Sequence, residues 1–206
     1  EVHHKLSGIY GSWGGSNVDL FVEYVDKIST EKTFMAFNDT LKRGHGFYSN
    51  INFYLSSWGL STEYKRYAFD RAHGDLTQDD YGNQIEFQQM PTLGKEQNST
   101  LLGRVSRNYN FNDERALQFE LNGAIKGLSL TGQYSHISRN ETWQSVSTND
   151  WVYSPLQNYL PSSDPSSLPY WENYFEISGY AFNDNVYFKL GRGNNKEVLK
   201  TTRYYE

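Results

Sequence analysis

Phe47-Tyr48-Ser49-Asn50-Ile51-Asn52-Phe53-Tyr54-Leu55 decides the reading of this chain. Phe47, Ser49, Ile51, Phe53 and Leu55 share one face of an extended strand, and Tyr48, Asn50, Asn52 and Tyr54 share the other. Successive strand side chains point to opposite sides, so this period of two marks a β-strand with one apolar and one polar face. The alternation recurs further along the chain. Leu117, Phe119 and Leu121 oppose Gln118, Glu120 and Asn122; Leu128, Leu130 and Tyr134 oppose Ser129, Thr131, Gln133 and Ser135; Val186, Phe188 and Leu190 oppose Tyr187 and Lys189.

Strands are expected at about 4–13, 17–27, 47–55, 60–69, 101–109, 116–123, 127–137, 171–180, 186–191 and 198–205, with shorter extended pieces at 33–37 and 85–87. Gly14-Gly15-Ser16, Ser56-Ser57-Trp58-Gly59, Asn110-Phe111-Asn112-Asp113 and Phe182-Asn183-Asp184-Asn185 carry turn chemistry. Residues 38–46 read as loop. So do two long segments, 70–100 and 138–169, the second holding four of the five prolines. No amphipathic helical period is present. The expectation is an all-β single domain over 1–206, an antiparallel meander of about ten strands. It forms a transmembrane β-barrel or a large part of one, with a soluble β-sandwich as the alternative. One connection resists the barrel. The turn at Ile125-Lys126 is short where strict alternation of short and long connections wants a long one.

Composition narrows the classes. Aromatics make up 17% of 206 residues, with 17 Tyr, 12 Phe and 5 Trp. Tyr suits places where one end is apolar and the other wet, such as membrane interfaces, sugar-binding surfaces and polar lumens. A net charge of −5 removes the electrostatic case for nucleic acid. Zero Cys excludes a disulfide framework and cysteine metal sites. No apolar run approaches the ~20 residues of a membrane helix. A mean hydropathy of −0.75 still allows a membrane barrel, whose alternate residues face a polar interior. Residues 1–5 lack the apolar core of a signal peptide. The strand-like residues 203–206 suggest a piece of a longer chain.

The stretch Met90-Pro91-Thr92-Leu93-Gly94-Lys95-Glu96-Gln97-Asn98-Ser99-Thr100-Leu101-Leu102-Gly103-Arg104 resembles a recurring segment of a poorly characterised family of bacterial outer-membrane β-barrel proteins. There a Pro-Thr-Leu-like turn and a Lys-Glu pair lead into a strand. The hairpins at 46–69 and 123–134 resemble that family in style. The resemblance implies a fold and an outer-membrane location, in a family of longer chains. It implies no activity, cofactor or site.

Motifs that suggest chemistry have plainer readings. Asp75-Leu76-Thr77-Gln78-Asp79-Asp80-Tyr81-Gly82-Asn83 has acids and a glycine but not the EF-hand spacing, so a solvated loop is the better reading. His3 and His4 have no third ligand in sequence, and His45, His73 and His136 are scattered. Gly191-Arg192-Gly193-Asn194-Asn195-Lys196 lacks the phosphate-loop ending and reads as a hairpin turn. The three Asn-x-Ser/Thr sequons mean little if the source is bacterial. No catalytic constellation, metal site or cofactor is expected.

In the barrel reading Phe47, Ile51, Phe53, Leu55, Leu117, Phe119, Leu121, Leu128, Leu130, Val186, Phe188 and Leu190 face lipid. Gln118, Glu120, Asn122, Gln133 and Lys189 face the lumen. Glu63, Lys65 and Arg66, with Glu120, are candidates to line a pore, with a solvated strand face as the somewhat better reading, and Trp58 and Trp171 are expected in interface girdles. The expected role is a pore, an uptake channel or a structural envelope component, with the lipid bilayer and other envelope proteins as partners. The alternative is a secreted β-sandwich that binds glycans through exposed Trp and Tyr.

Overall fold

The computed structural model describes residues 2–31, 40–68, 113–145, 151–155 and 159–198. The strands are β1 (Val2–Gly14), β2 (Val18–Glu31), β3 (Thr40–Leu55), β4 (Trp58–Ala68), β5 (Asp113–Ile125), β6 (Leu128–Ser138), β7 (Glu141–Ser145), β8 (Trp151–Pro155), β9 (Tyr170–Ala181) and β10 (Val186–Glu197). Eight form one antiparallel sheet in the order β1-β2-β3-β4-β5-β6-β9-β10, and β7 and β8 pair as a separate hairpin. The sheet is not closed: β1 and β10 are its edges.

The chain is thus all-β and a meander, as the alternation implied, with corrections. The main sheet has eight strands, not ten, and it is not a closed barrel among the described residues. Segment 138–169 is not all loop, because it contains β7, β8 and a 3-10 turn at Pro165–Ser167. The loop expected at 38–46 is strand from Thr40 onward. The turn expected at 191–196 lies inside β10. The Tyr174 ring lies across Gly191, where a Cβ would stand 2.8 Å from Tyr174 Oη, while Gly193 meets that ring only at an ordinary 3.7 Å. The pieces expected at 33–37, 85–87, 101–109 and 198–205 lie outside the described residues or run beyond them, as does the 90–104 stretch.

The objection to alternating connections disappears. β4 pairs directly with β5 in register from Trp58↔Gly123 to Ala68↔Asp113. The four short turns, at 15–17, 56–57, 126–127 and 182–185, therefore share one end of the sheet, and the longer connections share the other. In the β5–β6 turn both Lys126 (φ 49°) and Gly127 (φ 82°) are left-handed, the geometry that matches a two-residue hairpin to strand twist.

Gly123 shows how tightly neighbours interlock. The Trp58 indole lies over it, and a Cβ there would collide with Trp58 Cε3. Gly132, on the same face, has nothing within 4 Å of such a Cβ. Gly123→Ala is expected to cost about 1–3 kcal/mol through overpacking, while Gly132→Ala costs little. Equilibrium unfolding in urea compares the two, and equal effects would show that the Trp58 contact is not a constraint.

Candidate functional site

Register carries one polarity across the whole sheet. Residues opposite each other share a face, so the row Glu23↔Tyr48↔Lys65↔Ala116↔Ile137↔Tyr170 lies on one side. Gln118, Glu120, Asn122, Gln133 and Lys189 all fall on this side. The twelve apolar residues Phe47, Ile51, Phe53, Leu55, Leu117, Phe119, Leu121, Leu128, Leu130, Val186, Phe188 and Leu190 all fall on the other. Trp58 and Trp171 also lie on the apolar side, Trp58 at the short-turn end and Trp171 towards the opposite end. Arg66 corrects the pore-lining group. Adjacent to Lys65 in a strand, it must point the opposite way, and it lies on the apolar side in the row Phe47↔Arg66↔Arg115.

In the middle strands burial is inverted relative to an ordinary water-soluble sheet, although the polar side is exposed towards the edges, as at Tyr10 and Tyr187. On the polar side Gln118 is 8% exposed, Gln133 6% and Lys65 1%; on the apolar side Leu55 is 63% exposed and Leu190 64%. The buried apolar cluster is small, Ala116, Ile137 and Tyr170 with Tyr48 against it, and it too belongs to the polar side.

Polar groups on this face bond one another within and across strands, although the buried Gln133 Oε1 has no hydrogen-bond partner among the described residues. Ser135 Oγ donates to Gln118 Oε1 at 3.1 Å, and Gln133 Nε2 donates to Gln118 Oε1 at 3.1 Å and Ser135 Oγ at 3.0 Å. Tyr48 Oη donates to Glu63 Oε2 at 3.1 Å. Tyr174 Oη donates to Glu176 Oε2 at 2.6 Å, and Lys189 Nζ lies 2.9 Å from Glu176 Oε1. Nearer the turns, Thr131 Oγ1 donates to Asn122 Oδ1 and Asn122 Nδ2 to Glu120 Oε1, both at 2.7 Å. The deepest contact is ionic: Lys65 Nζ stands 2.5 Å from Glu114 Oε1, with both side chains almost fully buried. Such a ladder costs desolvation and persists only where each member has partners.

At the long-connection end of the apolar side, the segment 159–169 crosses the sheet as a strap. Tyr64 Oη donates to the Tyr159 carbonyl at 2.6 Å, and Arg115 donates to the carbonyls of Leu160 (3.2 Å) and Asn140 (2.8 Å). Asn140 Nδ2 donates to the Tyr67 carbonyl, and the Ser162 amide to Ser138 Oγ at 3.0 Å. Asp164 caps the 3-10 turn: its carboxylate accepts from the Ser166 hydroxyl and amide, which hold its pKa below the ordinary range. The His136 ring stacks on Trp171 at 5.2 Å.

Under the strap a cleft of about 370 Å³ opens between Tyr24, His45, Phe47, Tyr64, Arg66 and Tyr159. The Phe47 and Tyr64 rings pack at 5.9 Å, and the Arg66 guanidinium lies 5.7 Å from the Tyr159 ring centre. Sequence reading missed this cleft. Its residues come from three strands and a distant loop, and only the alternation of Tyr64 and Arg66 hinted that they share a face.

Lys65→Met removes the counter-charge of buried Glu114 and is expected to destabilise the fold by on the order of 3 kcal/mol, with much of it recovered in Lys65→Met/Glu114→Leu. A double-mutant cycle in urea measures this; additive losses would show that the two groups do not interact.

No protein-family model matches this chain, and no curated protein matches it, so function is read from the two faces and the cleft.

Proposed function

We propose that the chain forms wall strands of a β-barrel of the bacterial outer membrane, apolar side to lipid and polar side to the interior. Its role is that of a pore, an uptake channel or a structural envelope component that meets other envelope proteins. The observation that carries this reading is the inverted burial. A soluble sandwich hides its apolar faces against each other, whereas here the apolar face is the exposed one.

Three features support it. All the short turns lie at one end and all the longer connections at the other, the arrangement of outer-membrane barrels. The Trp58 and Arg66 rows are eight residues apart along β4, roughly 26 Å at about 3.3 Å per residue. A tilt of about 40° brings that to about 20 Å of height, near the ~25 Å apolar band of such barrels. Aromatic side chains mark both ends of this span, Trp58 at one, Tyr24, Tyr64 and Trp171 at the other. Arg192 and Lys196, both exposed on edge strand β10, are charged exceptions within the span. In lipid the outer edges of β1 and β10 need partners, and closure is what supplies them.

The reading is tested by membrane fractionation. The protein is expected to require detergent and to migrate on gels in a heat-modifiable way. A chain that stays in water without detergent would overturn the reading and favour a glycan-binding sandwich. Within a bilayer, Phe119→Lys in mid-strand is expected to cost ~2–4 kcal/mol and Leu55→Lys beside the turn only ~0–1, measured by unfolding from lipid vesicles; equal costs would count against a depth-dependent lipid contact. If the interior conducts, Lys189→Glu, which sets a second carboxylate beside Glu176, shifts selectivity toward cations in planar bilayers.

A further inference from the structure

The cleft on the apolar side has a chemistry that the barrel reading does not use. Arg66 commits its Nε to Asn140 Oδ1 at 3.3 Å and lays its plane towards the Tyr159 ring. Its two terminal nitrogens have no hydrogen-bond partner among the described residues. A guanidinium oriented at one nitrogen, with its fork left open, is a ready receptor for an oxyanion. Among the described residues no acid lines the cleft. Asp26 stands opposite His45 in register but outside the lining.

The cleft's position gives the ligand a second part. It sits where the apolar rows give way to polar connections, the level at which a barrel meets lipid headgroups. Towards the short-turn end, Phe47 and Tyr64 are followed on the same face by the small residues Ser49 and Thr62, between larger apolar neighbours. Ser49 stands opposite Tyr64 and Thr62 opposite Ile51, so an acyl chain laid over the two small residues would follow a shallow trough walled by these larger side chains, running down from the open guanidinium.

We propose that the cleft holds the phosphate-bearing headgroup of an anionic membrane lipid, with Arg66 on the phosphate and the acyl chain along the trough over Ser49 and Thr62. The aromatic walls of Phe47, Tyr64 and Tyr159 cover the glycerol region. This site rests on the barrel reading: it needs the apolar face to be in lipid. A neutral sugar would use the aromatic walls but not the open cationic fork.

The test uses the whole protein, purified in detergent and placed in phosphatidylcholine nanodiscs into which phosphatidylglycerol is titrated. Retained lipid is read by native mass spectrometry. Wild type is expected to retain phosphatidylglycerol in preference to phosphatidylcholine, and Arg66→Gln to weaken that retention about ten- to a hundred-fold. Arg192→Gln, on the same face away from the cleft, leaves it unchanged. Because Arg66 also braces Asn140, Ser49→Trp serves as the second variant: it fills the trough without touching that hydrogen bond and should displace the lipid equally.

Retention unchanged in both Arg66→Gln and Ser49→Trp overturns the site. So does glycerol phosphate competing as well as the intact lipid, which would make the ligand a free phosphate. A chain that is soluble without detergent overturns the barrel reading itself. A detergent-requiring chain that shows no preference for phosphatidylglycerol overturns the lipid site alone.

Discussion

Register across the unbroken antiparallel ladder is the constraint on which the rest of this structure depends. In a sheet with period-two side chains, a slip of one residue between neighbours would exchange their faces. From β1 to β10 no such slip occurs, so eight strands share a single polar side and a single apolar side. The short turns hold the hairpins in register, and side chains interlock where neighbours cross. Trp58 on Gly123 and Tyr174 on Gly191 are contacts that a Cβ would block.

A consistent register has an energetic consequence. It concentrates Lys27, Lys65, Glu114, Gln118, Gln133 and Ser135 on one buried surface, where each charge or amide would be costly alone. They are tolerated because neighbouring strands bring donors opposite acceptors, as in Gln118 with Ser135 and Lys65 with Glu114. Away from the strap, the apolar side has no comparable network among the described residues and needs none if its surroundings are apolar. The same geometry that satisfies the polar side therefore determines which environment suits the other.

The strap adds a second layer at one end only. Arg115 and Asn140 tie β4, β5 and the segment from Tyr159 onward through backbone carbonyls, which places Tyr159 above Arg66. Backbone carbonyls are acceptors that any residue supplies, so the side chains on the donor side, Arg115 and Asn140, carry the specificity. The cleft is a by-product of this bracing: a loop held off the sheet by hydrogen bonds leaves a gap beneath it, lined by whatever the outer rows present.

Much of the sheet was legible in the sequence because alternation is a local property. The assignment of Phe47, Ile51, Phe119 and Leu190 to one face, and of Gln118, Gln133 and Lys189 to the other, needed only neighbouring residues. Hairpin turns at 56–57 and 182–185 were legible for the same reason. β7 and β8 were not, since the Pro- and Ser-rich composition around them masks two five-residue strands, nor was the continuation of β10 through Gly191 and Gly193, whose glycines read as a turn until Tyr174 is seen lying across Gly191. The sequence by itself determined the strand period, the two-sidedness of each strand and the all-β class, because these depend on residues two apart. Only the tertiary structure decided that β4 lies directly against β5, that the polar side of the middle strands is the buried one, and that Arg66 meets Tyr159. Those depend on pairings between residues dozens of positions apart, which no local pattern encodes.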